Sequence, residues 1–464
     1  MLLQQRLPLE SLGDHLGSEV VVVVFAAGTL NGRLGAVDPP LDESLDLGEV
    51  HVRAFAPKAK SPSLTGPNGF TSPAADANVM STPDSVLVRY GEIGTKTGGV
   101  RGRMEGILRT NVAAALRSRG IEADAERIHG RILLETDAAE AAAGVAAEIP
   151  GVVSTSPARR VAADAETIYG ALATLAAERD GAFDSYAVRA HRGWDAFDVP
   201  SPELEREGGA AVGDVVDAGV DLDTPEVVFE VDVRQSGAFV FADRLSGPGG
   251  LPVGSQTPLV ALVSGGIDSP VAAFEAMCRG SPVVPIYVDL GAYGGADHRA
   301  RAIAACERLA MRAPNHLEEM VLVDGGDAIA DLVERFDGGR MLAVRRYFFS
   351  VAEAIADAEG AVGIVTGEVL GQKSSQTAGN LCVTSAATEL PIHRPLFSVD
   401  KPEIVRRAAE LGTDAEASIA AGCNRLAPSR PETNGRLEDQ RSAEPDDLFE
   451  RAARDAAGAE RVSI

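Results

Sequence analysis

From residue 85 onward the chain switches between two hydrophobic periods. "SVLVRY" (85–90) alternates as a half-buried strand does, and residues 100–118 then place Met104, Ile107, Leu108, Val112 and Leu116 at the spacing of one helical face. "RIHGRILLET" (127–136) reads as one strand, 137–147 as a helix, 151–155 as a strand, 164–178 as a helix and "SYAVRAHR" (185–192) as a strand. A helix over 203–218 and the strands "EVVFEVDVR" (226–234) and "GAFVFADRL" (237–245) complete a mixed α+β region that ends near 251–254. A stricter rhythm follows, with strands expected at 258–263, 283–288, 319–323 and 361–366 and helices at 268–279, 297–311 and 340–358. Strands that alternate with helices need crossover connections, so this second half predicts a parallel sheet. Residues 1–79 sustain neither period, being rich in Pro, Asp, Gly and Ser after one apolar run, and are expected to lie outside the working enzyme, with Met80 as its start. Residues 435–464 read as a loose acidic tail with one short helix near 447–457.

Composition narrows this picture. A chain of 464 residues holds two or three domains, and 45% hydrophobic residues with only 5% aromatics suit an Ala/Val/Leu-packed α/β protein. The formal net charge is −25, and lysine occurs only at positions 58, 60, 96, 373 and 401. That arginine-over-lysine acidic profile resembles proteins of salt-loving cells, in which a Debye length of about 3 Å at molar salt screens a dense negative surface. Cys278, Cys306, Cys382 and Cys423 form no CxxC pair and no Cys/His cluster, so neither a disulfide framework nor a metal site is expected and a reducing, cytoplasmic setting is. The longest wholly apolar run, Val20–Ala27, is far short of the roughly 20 residues that span a bilayer, and no membrane partner is expected.

The candidate chemistry sits where the second half begins. In "PLVALVSGGIDSPVAAFEAMCRG" (258–280) a buried strand ends at Val263, turns through Ser264-Gly265-Gly266 and restarts as a helix at Asp268-Ser269. Backbone N–H groups and the positive end of the helix dipole gather there, a combination that favours a phosphate. Asp268 would repel a bare phosphate, so it is expected to cap the helix or to partner Mg²⁺ on a nucleotide. The string is neither GxxxxGK[ST] nor GxGxxG, and resembles the pyrophosphate-binding loop of ATP pyrophosphatases, enzymes that activate substrates by adenylation.

Further segments occur in order: "YGEIGTKTGGVRGRMEGILRTNV", "RAHRGWDAFDVPSPELEREGGAAV", "RRYF", "TGEVLGQKSSQT", "PIHRPLFSVDKPEI" and "GCNRLAPSRPET". Together they resemble the tRNA 4-thiouridine synthetase (tRNA sulfurtransferase, ThiI) family over residues 85–434. The resemblance implies a multidomain α/β chain: a ferredoxin-like domain over 80–138, an RNA-binding THUMP domain over 139–246 and an ATP pyrophosphatase domain over 247–434. It places ATP contacts on Leu262, Val263, Ser264, Gly265, Gly266, Asp268 and Ser269, on Tyr287 and Val288, and on Arg345, Gly367 and Gln376. It also makes Cys423 the sulfur-carrying cysteine, with Asp268 the other catalytic residue. The bland reading of Tyr287 and Val288 is sheet core. Cys423 has its own argument in a Gly-Cys-Asn turn before a proline, whereas Cys278 and Cys306 share helical faces with apolar residues.

For RNA, residues 89–131 hold nine basic side chains against five acids, a local excess of +4 in an acidic protein. Arg101, Arg103 and Arg109 there, with Arg189 and Arg192 further on, are the expected tRNA contacts; a solvated helix face is the bland alternative for each. The implied activity is ATP- and Mg²⁺-dependent replacement of an oxygen of tRNA uridine 8 by persulfide sulfur, with a further role in thiamine synthesis left open. The implied partners are tRNA, a sulfur donor (a cysteine desulfurase or inorganic sulfide) and a second copy of the chain as a homodimer. Two departures stand out: no C-terminal rhodanese domain is expected, and Met341 and Val344 occupy the positions at which some archaeal members carry a cluster-binding CxxC. The rival readings are a small-molecule adenylating ligase of the same superfamily and a non-catalytic tRNA-binding protein.

Overall fold

Strand β1 (Ser85–Arg89), buried along its whole length, lies antiparallel between β3 (Arg131–Glu135) and β4 (Ser154–Val161) in the computed structural model, which describes residues 82–128, 130–414 and 425–464. The extension 1–79, Met80 and Cys423 lie outside the described residues. Helices α1 (Gly98–Ser118) and α2 (Ala139–Ala147) cover one face of these strands and bury Val86, Val88, Leu108, Val112, Ile132 and Ala143 in one core. Because α2 belongs to that core, the first module runs past the boundary expected at residue 138. The single strand expected over 127–136 is instead a hairpin: Gly130 takes φ +77°, and β2 (Asp124–Ile128) folds back on β3.

β4 carries the sheet into a second module. Its first five residues pair with β1 and its last three with β8 (Gly237–Phe241), after which β7 (Val227–Arg234), β5 (Ser185–Arg192) and β6 (Gly219–Val220) follow, while β9 (Leu245–Ser246) also pairs with β4. Helices α3 (Ala165–Ala177) and α4 (Ser201–Gly213) bury Leu172, Leu204 and Val212 against Phe229 and Val231. Asp164 caps α3 by accepting from the Thr167 N–H at 2.9 Å. β3 and β7 stand four strand spacings apart, roughly 19 Å in a flat sheet. Yet Arg131 on β3 donates to Asp232 on β7 at 2.7 Å, so the sheet bends about β4 and closes on Leu87, Leu133, Ala158, Phe239 and Phe241.

The second sheet runs β14 (Ile392–His393), β13 (Ile364–Val365), β10 (Leu259–Leu262), β11 (Val283–Asp289), β12 (Glu319–Asp324) and β15 (Glu460–Ser463), parallel except for β15. On one face, α5 (Asp268–Cys278), α6 (Ala296–Ala310) and α10 (Lys401–Leu411) pack through Ala272, Cys306 and Ala408. On the other, α7 (Gly326–Arg335), α8 (Arg340–Glu359) and α12 (Leu448–Ala457) pack through Leu332, Val344 and Leu448. Helix α7 has no counterpart among the expected elements, since its Gly-Gly-Asp start reads as a turn.

The tail expected to be loose is part of this module. Helices α11 (Leu437–Ala443) and α12 lead to β15, which pairs with β12; the Tyr347 hydroxyl donates to Asp455 at 2.5 Å, and Arg346 Nε to Glu444 at 2.7 Å. Burial of Leu448 and Ala452 outweighs the polar composition that made the segment look unstructured. Among the described residues no helix is long and apolar enough to cross a membrane.

Candidate functional site

Chain order reverses between β10 and β13: the sheet grows from β10 through β11 to β12, then returns to add β13 on the other side of β10. Open parallel sheets bind ligands at such a switch, beyond the carboxyl ends of the strands. A cavity of about 260 Å³ opens there, walled by the ends of β10 and β11, the start of α5, the middle of α8 and the segment 366–376. Of the residues expected to hold ATP, Leu262, Val263, Ser264, Gly266, Asp268, Ser269, Tyr287, Val288, Arg345, Gly367 and Gln376 all line it. Ile286, Leu290, Met341, Phe348 and Phe349 give the cavity an apolar wall of the kind that takes a planar base.

The loop holds its shape through its two serines. The Ser264 N–H donates to Ser269 Oγ at 2.9 Å, the two hydroxyl oxygens lie 3.1 Å apart, and the Gly266 N–H reaches Ser264 Oγ at 3.3 Å. Ile267 stands at the N-cap of α5, and the first N–H groups of the helix lack a side-chain cap beside the cavity. The expectation that Asp268 caps α5 is therefore corrected. Its carboxylate instead takes Lys401 Nζ at 2.6 Å and Gln372 Nε2 at 3.1 Å, so long-range partners outcompete the local cap. Pro270 sits in the first turn, where a missing N–H costs no helical hydrogen bond.

The glycines serve packing as well as approach. Gly265 is absent from the cavity lining; a Cβ on it would lie 2.8 Å from the carbonyl oxygen of His298 on α6. A Cβ on Gly367 would lie 2.7 Å from the Ser269 nitrogen, so only glycine lets the segment after β13 rest on the first turn of α5. Arg345 and Arg346, adjacent on α8, divide their tasks. Arg345 lines the cavity and pairs with Glu368, whereas Arg346 is fully buried and donates to Glu444 and, at 2.9 Å, to the Val383 carbonyl.

Glu368, Gln372, Lys373 and Lys401 are site residues that the sequence reading did not single out. A signal was present: two of only five lysines in an arginine-dominated chain, Lys373 and Lys401, fall here. Among the described cysteines, Cys278 and Cys306 are buried in core, and burial pushes the Cys306 thiol up to about 12 and the Cys278 thiol higher still, whereas Cys382 on α9 (Ala378–Ser385) is exposed.

The five arginines expected at RNA do not form one patch. Arg101 and Arg103 stand about 200° apart around α1, and Arg189 and Arg192, three apart on β5, leave opposite faces of the strand. Arg101 donates to Glu105 at 2.8 Å and to the Tyr90 hydroxyl, Arg189 to the Leu222 carbonyl at 2.6 Å and Arg192 to that of Phe197 at 3.0 Å; Arg103 and Arg109 are exposed on α1.

Comparison with known proteins matches each module. The family model described as thiamine biosynthesis protein (ThiI) covers residues 254–446, the ThiI ferredoxin-like domain 85–156 and the THUMP domain 162–243. A probable tRNA sulfurtransferase of Halobacterium salinarum is 50% identical over 386 residues, covering 82% of this chain and 98% of the relative. One from Methanosarcina acetivorans is 36% identical over 357 residues, covering 75% and 86%. A crystal structure of a 4-thiouridine synthetase–RNA complex with bound ATP superposes with a TM-score of 0.72 at 29% identity, covering 82% of this chain and 99% of that one. PH1313 from Pyrococcus horikoshii, at 23% identity and a TM-score of 0.57 over 71% of this chain and 99% of its own, shares the fold. With three modules matched in order and a relative aligned over nearly its full length, the chain belongs to the ThiI family of tRNA sulfurtransferases.

Proposed function

We propose that the chain is an ATP-dependent tRNA sulfurtransferase that converts uridine 8 of tRNA to 4-thiouridine. The observation that carries this reading is the convergence of the expected ATP contacts on one cavity at the sheet's switch point, in a chain whose 4-thiouridine synthetase neighbour holds ATP and RNA. ATP lies with its base against Ile286, Met341, Phe348 and Phe349 and its phosphates against Ser264–Ser269, where the uncapped start of α5 and Arg345 meet the negative charge. The uridine O4 attacks the α-phosphorus, pyrophosphate leaves, and the base carries AMP on oxygen. A persulfide on Cys423 then attacks carbon 4 and AMP departs; the sulfur–sulfur bond is cleaved by a second thiol or an external reductant, which is oxidised to the disulfide. A cysteine desulfurase supplies the sulfur already at the persulfide level, passing its outer sulfur to the Cys423 thiol and keeping its own thiol; inorganic sulfide, the alternative donor, would instead attack carbon 4 directly and expel AMP, with no persulfide and no reductant.

Mg²⁺ fits the donor set. Among the described residues no three His, Cys, Asp or Glu converge, and a nucleotide-bound Mg²⁺ needs only one or two carboxylates beside phosphate and water. Asp268 would hold it by exchanging Lys401 or Gln372 for the ion, whereas Glu368 is buried between two arginines; the ion would supply charge neutralisation at the phosphates. Arg101, Arg103, Arg109, Arg189 and Arg192 contact tRNA singly rather than as one stripe, so recognition leans on shape and 2′-hydroxyls. In a strain lacking the native gene, near-UV absorption of bulk tRNA should appear with the wild-type chain and not with Cys423→Ala. Full thiolation by that variant would remove the sulfur assignment.

A further inference from the structure

We infer that Glu368 is a positioning residue for the nucleotide: its carboxylate sets the Arg345 guanidinium against the phosphate-binding loop, and the grip on ATP depends on that carboxylate's charge. The inference rests on the ATP reading of the cavity.

Glu368 is 2% exposed, lines the cavity and commits each carboxylate oxygen to a different arginine. Oε1 pairs with Arg345 of α8, and Oε2 accepts from Arg394 Nε at 2.8 Å, just past β14. The next residue back is Gly367, seated on the first turn of α5. One dipeptide therefore links the phosphate loop to α8, which belong to opposite faces of the sheet and line the same cavity. Arg394 is itself held, its Nη2 donating to Ser385 Oγ at 2.8 Å, and that hydroxyl donates to the Leu381 carbonyl at 2.6 Å within α9. The bridge thus has a fixed far end, and Arg345 is its adjustable one.

The charges explain why a carboxylate is needed. Two guanidiniums and one carboxylate give the cluster a formal +1, with Arg345 and Glu368 at the cavity and Arg394 behind them, while Glu368 keeps the two like charges from facing each other in a poorly solvated setting. Arg345 Nε is buried with no hydrogen-bond partner among the described residues, so the side chain keeps donor capacity beyond its pair with Glu368. With the carboxylate neutralised, Arg345 would be free to turn from the loop and its repulsion from Arg394 would drive it to do so.

The test is a double-mutant cycle on the full-length chain in concentrated KCl, titrating ATP into wild type, Glu368→Gln, Arg345→Ala and the double variant, with melting temperatures measured alongside. Glu368→Gln should weaken ATP binding about tenfold or more, and the double variant should bind no more weakly than Arg345→Ala alone, because both changes remove one effect. An unchanged affinity in Glu368→Gln, or an equal loss with and without Arg345, overturns the inference. If Glu368→Gln does not fold, Glu368→Asp, which keeps the charge but withdraws it by one methylene, should show a smaller loss that again vanishes in the Arg345→Ala background; a loss that persists there overturns it. Wild type that fails to bind ATP at all overturns the ATP reading and the Glu368 role with it, whereas wild-type binding with an indifferent Glu368→Gln overturns the role alone.

Discussion

Gly367 shows how one missing Cβ shapes the site. Its backbone rests so close to Ser269 that alanine would put a carbon 2.7 Å from a peptide nitrogen, and backbone at a helix start has little room to yield. Overpacking of this kind costs about 1–3 kcal/mol, and here the strain falls on the loop proposed to hold phosphate. Gly367→Ala should therefore lower ATP affinity by tenfold or more while the protein stays folded; calorimetric titration beside a melting curve checks this, and undiminished affinity would show that the contact does not shape the loop. At this scale the sequence was partly readable. The SGGIDS string announces a phosphate loop from local residues alone, but Glu368 and Lys401 act on residues 23 positions before and 133 positions before them, and no local spacing encodes such pairs.

Strands and helices were legible wherever their hydrophobic period is local, as in the full agreement of "SYAVRAHR" with β5. The bend of the first sheet was not, because it depends on Arg131 meeting Asp232 from a strand 101 residues away. Asp232 also accepts from Arg234 Nε at 2.6 Å, and burial by itself would push its carboxyl up, but the two guanidiniums outweigh it and hold the group below the usual carboxylate range. A folded pKa below the unfolded one contributes stability that is present above about pH 4 and is lost as pH falls through the folded value. Asp232→Asn should cost about 3 kcal/mol near neutral pH, since it leaves the buried Arg234 and the half-buried Arg131 without their counter-charge, and the gap to wild type should close in strong acid. Urea unfolding of both proteins between pH 2 and 7 measures this, and a gap that does not narrow in acid would contradict the role given to Asp232. The tail was misread for a related reason: α12 and β15 are held by partners such as Tyr347 and β12 that lie more than 100 residues earlier.

Across the whole molecule, a net charge of −25 sets the conditions under which the modules hold together. Screening contracts from about 10 Å at 0.1 M salt to about 3 Å at 1 M, so self-repulsion fades as salt rises and the melting temperature should climb between dilute buffer and molar KCl. A flat response in differential scanning calorimetry would mean that the acidic surface carries no such penalty. The ferredoxin-like module is joined to the ATP module through Asn111, which donates to the Val253 carbonyl at 2.9 Å and accepts from Asn315 at 3.0 Å, and through the paired contacts of Arg279 with Glu92. This tie links the half proposed to bind RNA to the half proposed to adenylate it, as chemistry on one chosen uridine would require. Pyrophosphate release from ATP on adding an unmodified tRNA transcript tests that chemistry most directly. It should require both uridine 8 and an intact Ser264–Ser269 loop, being lost when cytidine replaces the uridine and when Asp268 is changed to Asn; release that is indifferent to the transcript, or to that one base, would contradict adenylation of the tRNA.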